Sequence, residues 1–297
     1  AFAQTRADWT LLEVGLGGRH DATNVIDDPR LTIITQVDLD HQQFLGETVR
    51  EIAFQKAGII KRGVPVVVGP QHDDALEVIE TEAARFGAPV IAHGQHWHVS
   101  EERGRLIYQD ETGLLDLPRP NLRGPHQFGN AGMAIAALRH LGFDEAACEA
   151  TVTGAFWPAR MQRLSEGPLI DLAPDAELWL DGGHNPAAGA ALAETLAELP
   201  PRPTHAICGM LSTKDVTGYM RQLVSAVSDL HAVAIPGETA TLPAEDTAAA
   251  AMRVGLETFV APSVDEALSD IISRDPTARV VICGSLYLAG AVLRENC

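Results

Sequence analysis

Short apolar runs alternate with amphipathic segments through the first 92 residues, and this pattern predicts strands and helices in turn. Predicted strands cover residues 9–14, 31–37, 65–68 and 89–92, and predicted helices cover residues 48–57 and 74–86. Residues 1–7 read as the end of a helix. Thr48 and Glu51 have the spacing of a capping box at a helix start. Such alternation favours a mostly parallel sheet with helical crossovers.

The pattern changes over residues 96–117, where short alternating segments are broken by Gly104 and Gly113 and predict antiparallel hairpins. Two helices are predicted next, over residues 127–141 and 144–153. The segment 154–158 then marks a boundary, so we predict domains at residues 1–155 and 156–297.

Strand–helix alternation restarts after that boundary. Predicted strands cover residues 178–180, 205–207, 232–235, 258–260 and 280–282, and predicted helices cover residues 187–197, 216–227, 244–254 and 264–273. This second half has an ordinary domain size and the pattern of a complete Rossmann-like α/β domain.

Composition excludes several classes of protein. A net charge of −18 argues against nucleic-acid and anionic-membrane partners, which need basic patches. No apolar run approaches the roughly 18 residues of a membrane span, and no secretory signal is expected. The four cysteines are widely spaced and form no CxxC pair, which is typical of reduced thiols in a cytoplasmic protein.

The most specific pattern is residues 11–26, Leu-Leu-Glu-Val-Gly-Leu-Gly-Gly-Arg-His-Asp-Ala-Thr-Asn-Val-Ile. An apolar strand reaches Glu13 and breaks into a glycine-rich loop, which places an acid at the carboxyl edge of a sheet. Glycine there permits positive φ and lets backbone N–H groups approach an anion. The alternative is a strand and tight turn with an incidental acid.

A second acidic segment, Asp38-Leu39-Asp40-His41, follows the predicted strand 31–37. Glu13 and His41 would then end two successive strands and share one crevice. A carboxylate and an imidazole near phosphate favour Mg²⁺, which needs few protein ligands. Spacing alone leaves a metal role for His41 and a structural loop histidine equally open.

The run 11–26 resembles a signature of the folylpolyglutamate synthase and dihydrofolate synthase family. The resemblance implies that Glu13 and His41 bind Mg²⁺. Residues 51–60 resemble the family's E-K-A-G-I segment, with Gln55 in place of the usual Glu, and imply that Lys56 is carbamylated and bridges metal ions. The alternative for Lys56 is a surface lysine near a helix C-terminus. The implied substrate loop comprises Gly15, Gly17, Gly18, Arg19, Asp21, Thr23 and Asn24.

Three further motifs resemble the nucleotide-binding segments of the family. Residues 126–131 resemble H-Q-x-x-N-A and imply that Asn130 contacts the nucleotide, although a helix-capping cluster is the alternative. Residues 158–162 resemble a P-G-R motif, with Ala159 in place of glycine, and imply that Arg160 reaches the ATP phosphates. Residues 181–186 resemble D-G-A-H-N-P and imply that Asp181 binds the ribose hydroxyls with His184 near the nucleotide. Lys56, Arg160 and His184 are the implied catalytic residues.

The resemblance implies an α/β fold with a Mur-ligase-like, P-loop-type ATPase domain and a C-terminal Rossmann-like glutamate-ligase domain. The implied activity is ATP- and Mg²⁺-dependent joining of L-glutamate to dihydropteroate or a folate through an acyl phosphate, in folate biosynthesis. It covers dihydrofolate synthase and folylpolyglutamate synthase activities alike. We expect a cytoplasmic monomer with no nucleic-acid or membrane partner.

One departure is serious, because no G-x-x-x-x-G-K-[ST] phosphate loop occurs in the sequence, whereas the family begins with one. We therefore expect an incomplete N-terminal domain and a chain that binds ATP poorly and turns over little. Two alternatives remain open. One is a muramyl-peptide-type ligase, although that class lacks the run 11–26, and the other is a non-catalytic nucleotide-binding remnant.

Overall fold

The computed structural model describes residues 4–296 and divides into two compact units. The first unit comprises Ala1–Arg119 and Phe128–Thr153, and the second comprises Pro120–Gln127 and Gly154–Cys297. We predicted a single boundary between residues 155 and 156. In the structure the short segment Pro120–Gln127 also belongs to the second unit. The predicted helix end over residues 1–7 falls partly outside the described residues.

The first unit contains a parallel sheet of three short strands with helices in the crossovers. In chain order the elements are β1 (Thr32–Ile34), α1 (Gln42–Leu45), α2 (Val49–Lys56), β2 (Val66–Val68), α3 (Asp73–Phe86) and β3 (Val90–Ala92), and the strand order is β1-β2-β3. The predicted capping box is confirmed. The Thr48 hydroxyl accepts the Glu51 N–H at 3.2 Å, and the Glu51 carboxylate accepts the Thr48 N–H at 3.0 Å.

The same unit contains the predicted antiparallel segment as a three-stranded sheet, and most of the two helices that follow it. The elements are β4 (Trp97–Glu102), β5 (Arg105–Asp110), β6 (Gly113–Leu117), α4 (His126–His140) and α5 (Glu145–Gly154). One core cluster lies between the parallel sheet and helices α2 and α3. A second cluster joins Val67 of β2 to the antiparallel sheet and to α4 and α5.

The predicted strand over residues 9–14 is wrong, since the structure shows no strand there. Its apolar side chains are exposed, and Leu11 is 92% accessible to solvent. A strand is stable only when its backbone groups pair with a neighbour. Within residues 4–296, β1 is the edge of the parallel sheet on this side and pairs only with β2. Glu13 therefore does not end a sheet strand, and it is exposed.

The second unit is a six-stranded sheet covered by helices on both faces. Its elements are β7 (Gln162–Arg163), α6 (Pro168–Leu172), β8 (Glu177–Leu180), α7 (Pro186–Ala197), β9 (Thr204–Cys208), α8 (Val216–Leu223), β10 (Asp229–Ala232), α9 (Ala244–Arg253), β11 (Thr258–Val260), α10 (Val264–Arg274), β12 (Arg279–Cys283) and α11 (Leu286–Glu295). The strand order is β11-β10-β9-β12-β8-β7, and every pair is parallel except β7 with β8. This arrangement confirms the predicted Rossmann-like α/β fold.

Two apolar clusters stabilise this sheet, one on each face. Helices α7, α8 and α9 contribute to the cluster on one face, and α6, α10 and α11 contribute to the cluster on the other. The predicted strand over residues 232–235 is shifted in the structure to β10, Asp229–Ala232. Asp229 and His231 are polar residues, yet both are buried in β10. Ion pairs with His205, Asp270 and Arg274 compensate the cost of burying these two side chains.

Among residues 4–296, no helix combines the length and the apolar character that crossing a membrane requires. Cys148, Cys208 and Cys283 are buried free thiols, and the predicted thiol at Cys297 lies outside the described residues.

Candidate functional site

The glycine-rich loop of the first unit is organised around the carboxylate of Asp21. This carboxylate accepts the Thr23 hydroxyl at 2.6 Å and the backbone N–H groups of Thr23 and Leu16 at 2.9 Å each. Hydrogen bonds from the Thr23 side chain and then from these backbone groups lower the pKa of Asp21 to about 2. Asp21 is therefore a loop-forming carboxylate that stays ionised at neutral pH.

The same loop lies against the C-terminal end of α2. The Arg19 N–H donates to the Gln55 carbonyl at 2.8 Å, and the Asn24 amide donates to the Gly58 carbonyl at 3.1 Å. A Cβ at Gly58 would overlap Arg19, so this approach requires glycine. Gly18 has φ +150° and packs beside the Gln55 carbonyl. The loop and the end of α2, which carries Lys56, thus form one structural element.

Arg19 reaches a buried acid on α3. Its guanidinium lies 2.8 Å from the carboxylate of Glu82 and 3.9 Å from the centre of the Phe54 ring. Burial raises the pKa of Glu82, but hydrogen bonds from Arg19 and Arg85 outweigh burial and hold that pKa below its ordinary value. The structure therefore uses the Arg19 charge to attach the loop to α3.

The predicted metal ligands occupy different surroundings. His41 adopts a left-handed conformation with φ 52°, and its N–H donates to Asp40 at 2.8 Å. Lys56 ends α2 and is half-buried; burial lowers the pKa of its amine, while the Asp40 charge acts in the opposite direction. Within residues 4–296 no three His, Cys, Asp or Glu side chains lie close enough together to hold a metal ion. The strand that was expected to bring Glu13 to His41 is absent from the described residues.

Asn130, the predicted nucleotide contact of the first unit, lies in the second turn of α4 and is exposed. The preceding Gln127 is buried, and its side-chain nitrogen lies 2.9 Å from Nε2 of His126. The predicted role of Asn130 stays a prediction.

The second unit brings three loops to one edge of its sheet. Asp181 follows β8, Gly209 follows β9 and Gly284 follows β12, and these three strands are neighbours in the order β9-β12-β8. The chain crosses from β8 over β12 to β9, continues to β10 and β11, and then returns to β12. Open α/β sheets bind ligands in the crevice outside the carboxyl ends of their strands.

Asp181 joins two of the loops at this edge. Its carboxylate accepts the Gly183 N–H at 2.8 Å and the Met161 N–H at 3.0 Å. The Gly182 N–H donates to the Ala159 carbonyl at 2.8 Å. The Arg160 guanidinium lies over Gly182, with Nη1 3.4 Å from the position that a Cβ there would occupy. Arg160 and Asp181 thus lie side by side.

His184 completes this cluster. Its Nδ1 lies 3.0 Å from the Gly182 carbonyl, and since a carbonyl only accepts, Nδ1 carries a proton and donates it to this hydrogen bond. Asn185 caps α7 by accepting the Ala188 N–H at 2.8 Å, and Pro186 occupies the first turn. The helix N-terminus adds a favourable environment for an anion.

The structure therefore brings together Arg160, Asp181 and His184 around the Gly182 backbone. A guanidinium, a carboxylate and an imidazole beside a helix N-terminus suit a phosphorylated ligand that also carries hydroxyl groups. Sequence reasoning missed Gln162, whose side-chain oxygen accepts the Ala159 N–H at 3.0 Å. Its only sequence signal was its place two residues after Arg160.

The family profile described as Mur ligase, glutamate ligase domain, matches residues 159–286. Most of the second unit is therefore similar to the glutamate ligase domain of Mur ligases. Lacticaseibacillus casei folylpolyglutamate synthase is 34% identical in an alignment that covers 98% of this chain and 67% of that protein.

Two solved structures extend this similarity. Escherichia coli FolC in complex with DHPP and ADP has a TM-score of 0.82 and 31% identity, with 95% of this chain and 64% of that chain covered. A bifunctional folylpolyglutamate synthase/dihydrofolate synthase with Mn, AMPPNP and L-glutamate bound has a TM-score of 0.81 and 32% identity. The match covers 99% of this chain and 68% of that chain. This chain belongs to the folylpolyglutamate synthase and dihydrofolate synthase family, and it spans about two thirds of the length of these relatives.

Proposed function

We propose that this chain takes part in the ATP-dependent joining of L-glutamate to the carboxylate of dihydropteroate or a folate. The observation that carries the proposal is the cluster of Arg160, Asp181 and His184 around Gly182 at the ligand-binding edge of the sheet. The ligands of the related structures, ADP with DHPP in one and AMPPNP with L-glutamate in another, support these substrate classes.

In the proposed reaction an oxygen of the acceptor carboxylate attacks the γ-phosphorus of ATP, so that an acyl phosphate forms and ADP leaves. The glutamate amine then attacks the acyl carbon, the amide forms and phosphate leaves. Arg160 neutralises phosphate charge through its planar fork of donors. Asp181 keeps acceptor capacity for ribose hydroxyls, since each carboxylate oxygen has two lone-pair sites. His184 lies near the nucleotide, and Asn130 would hydrogen-bond to the base.

Mg²⁺ would be held by His41 and by Lys56 once that residue is carbamylated, with Glu13 included by resemblance. Burial of Lys56 lowers the pKa of its amine and so favours the neutral form that reacts with CO₂. Two or three ligands suffice for Mg²⁺ because ATP phosphates and waters supply the rest. When bound, the ion neutralises charge on the transferred phosphoryl group.

We further propose a cytoplasmic, monomeric protein with low activity in the form of this chain. The sequence contains no phosphate loop of the G-x-x-x-x-G-K-[ST] type, whose backbone and lysine would hold the β- and γ-phosphates. ATP binding should then lack those phosphate contacts and be weak.

The test is phosphate release from ATP with Mg²⁺, L-glutamate and either dihydropteroate or a reduced folate, beside the L. casei relative. We expect release far slower than that of the relative, dependent on both glutamate and the pteroate, and lost in Asp181→Ala. Release that needs neither substrate would contradict the ligase function. Rates comparable to those of the relative would contradict the expectation of low activity.

A further inference from the structure

Arg160 is presented by a turn in which both flanking residues are left-handed. Ala159 has φ 55° and Met161 has φ 42°. Side chains other than glycine rarely adopt this conformation, and it persists only where surrounding contacts hold it. The turn before the Asp181 loop is therefore held by specific interactions.

Side-chain burial supplies the first of these interactions. Ala159 is buried in the cluster that includes Leu178 and Leu180, and Met161 is buried in the cluster that includes Trp179. Successive residues of β8 face opposite sides of the sheet. The two left-handed residues are thus anchored on opposite faces, and Arg160 lies half-buried between them at the sheet edge.

Three hydrogen bonds supply the rest. The Met161 N–H donates to Asp181, the Gly182 N–H donates to the Ala159 carbonyl, and the Ala159 N–H donates to the side-chain oxygen of Gln162 at 3.0 Å. Gln162 lies on β7 opposite Leu180, the residue before Asp181, so the sheet fixes its backbone. Its side chain closes the turn from the far side of Arg160.

We propose that Gln162 is a positioning residue of the nucleotide site, since its side-chain oxygen closes the 159–162 turn and directs the Arg160 guanidinium over Gly182. The inference rests on the proposed role of Arg160 in binding phosphate. Without this acceptor the buried Ala159 N–H loses its partner, and the turn relaxes to a less strained conformation. Arg160 then leaves its place beside Asp181.

The test is an NMR titration of the chain with MgADP in variants of matched shape. Gln162→Met removes the acceptor and keeps the volume, whereas Gln162→Glu keeps an acceptor oxygen. Gln222→Met, on α8 of the same unit, is the control. We expect Gln162→Met to raise the MgADP Kd about fivefold, the size of one lost hydrogen bond. Gln162→Glu should rescue binding, and Gln222→Met should leave it unchanged.

A residue that acts through Arg160 has no effect once Arg160 is gone. Gln162→Met should therefore add nothing to Arg160→Ala, and equal effects in both backgrounds would overturn the proposal. Wild-type affinity in Gln162→Met, with affinity lost in Arg160→Ala, would also overturn it and leave the proposed function intact.

A wild-type chain without MgADP binding would instead overturn the proposed function and, with it, the nucleotide role of Gln162. Amide exchange at Ala159 reports on the turn without any nucleotide. We expect faster exchange in Gln162→Met than in Gln162→Glu, and equal exchange in the two variants would refute the closing of the turn by Gln162.

Discussion

Replacing Glu82 by alanine should loosen the glycine-rich loop far more than replacing a similar exposed acid. The Glu82 side chain is 4% exposed and accepts hydrogen bonds from Arg19 and Arg85. Nε of Arg19 is already buried without a hydrogen-bond partner. Glu82→Ala would leave the Arg19 charge partly buried and uncompensated.

The size of the stability loss expected for Glu82→Ala follows from the burial of the Arg19 and Glu82 side chains. Removing one partner of a fully buried ion pair costs about 3–5 kcal/mol. Arg19 is 26% exposed, so water screens part of this charge, and we expect a loss of about 2 kcal/mol in the stability of the loop. The control is Glu77 on the same helix, which lies 2.6 Å from Arg50 in a pair whose side chains are 67% and 47% exposed. Glu77→Ala should cost far less than Glu82→Ala, since water screens this exposed pair.

Amide exchange measures this loss locally, which matters because a chain of two units need not unfold in one step. The Arg19 N–H donates to the Gln55 carbonyl and is protected only while the loop lies on α2. A loss of about 2 kcal/mol predicts roughly 30-fold faster exchange at Arg19 in Glu82→Ala. Equal changes in Glu82→Ala and Glu77→Ala would refute the argument from burial.

Two further predictions concern carboxylates that hydrogen bonds hold ionised. Asp229 is buried and accepts from His205 at 2.8 Å and Arg274 at 3.1 Å, so Asp229→Ala should cost about 3 kcal/mol in urea unfolding. Burial raises the pKa of Asp229, but the hydrogen bonds and charges of these partners outweigh burial and lower that pKa. Asp229 therefore contributes its full stabilisation above the pKa of the unfolded state, about 4. This stabilisation is lost as the pH falls through the lower pKa of the folded state. The difference in the free energy of unfolding between wild type and Asp229→Ala should therefore decrease in acid. A difference that does not change with pH would contradict this. An NMR titration should give Asp21 a pKa of about 2 that rises in Thr23→Val, and an unchanged value in the variant would rule out the Thr23 hydroxyl as the main cause.

The sequence predicted the elements that depend on local signals. Helix α2 has its capping box between Thr48 and Glu51, and the alternation after residue 158 predicted the parallel sheet of the second unit. The Asp181–Pro186 motif lies at the end of a strand and the start of a helix, as its residue types indicate. Such features need only neighbouring residues, so a single sequence reveals them.

The errors came from features that depend on distant partners. Residues 9–14 are apolar enough for a strand, but no neighbouring strand pairs with them among the described residues. β10 begins at a charged residue, Asp229, because partners 24 and 45 positions away neutralise it. Gln162 was missed because its role depends on a left-handed turn and a two-residue strand. Neither feature has a periodic signature.

We propose that the loops around Gly182 form the nucleotide site. The most direct test is the map of backbone amide shifts that MgADP produces in this chain. We expect shifts centred on Gly182, Gly183 and His184 that disappear in Arg160→Ala. Shifts confined to other parts of the chain, or shifts at Gly182 that persist without the Arg160 side chain, would contradict it.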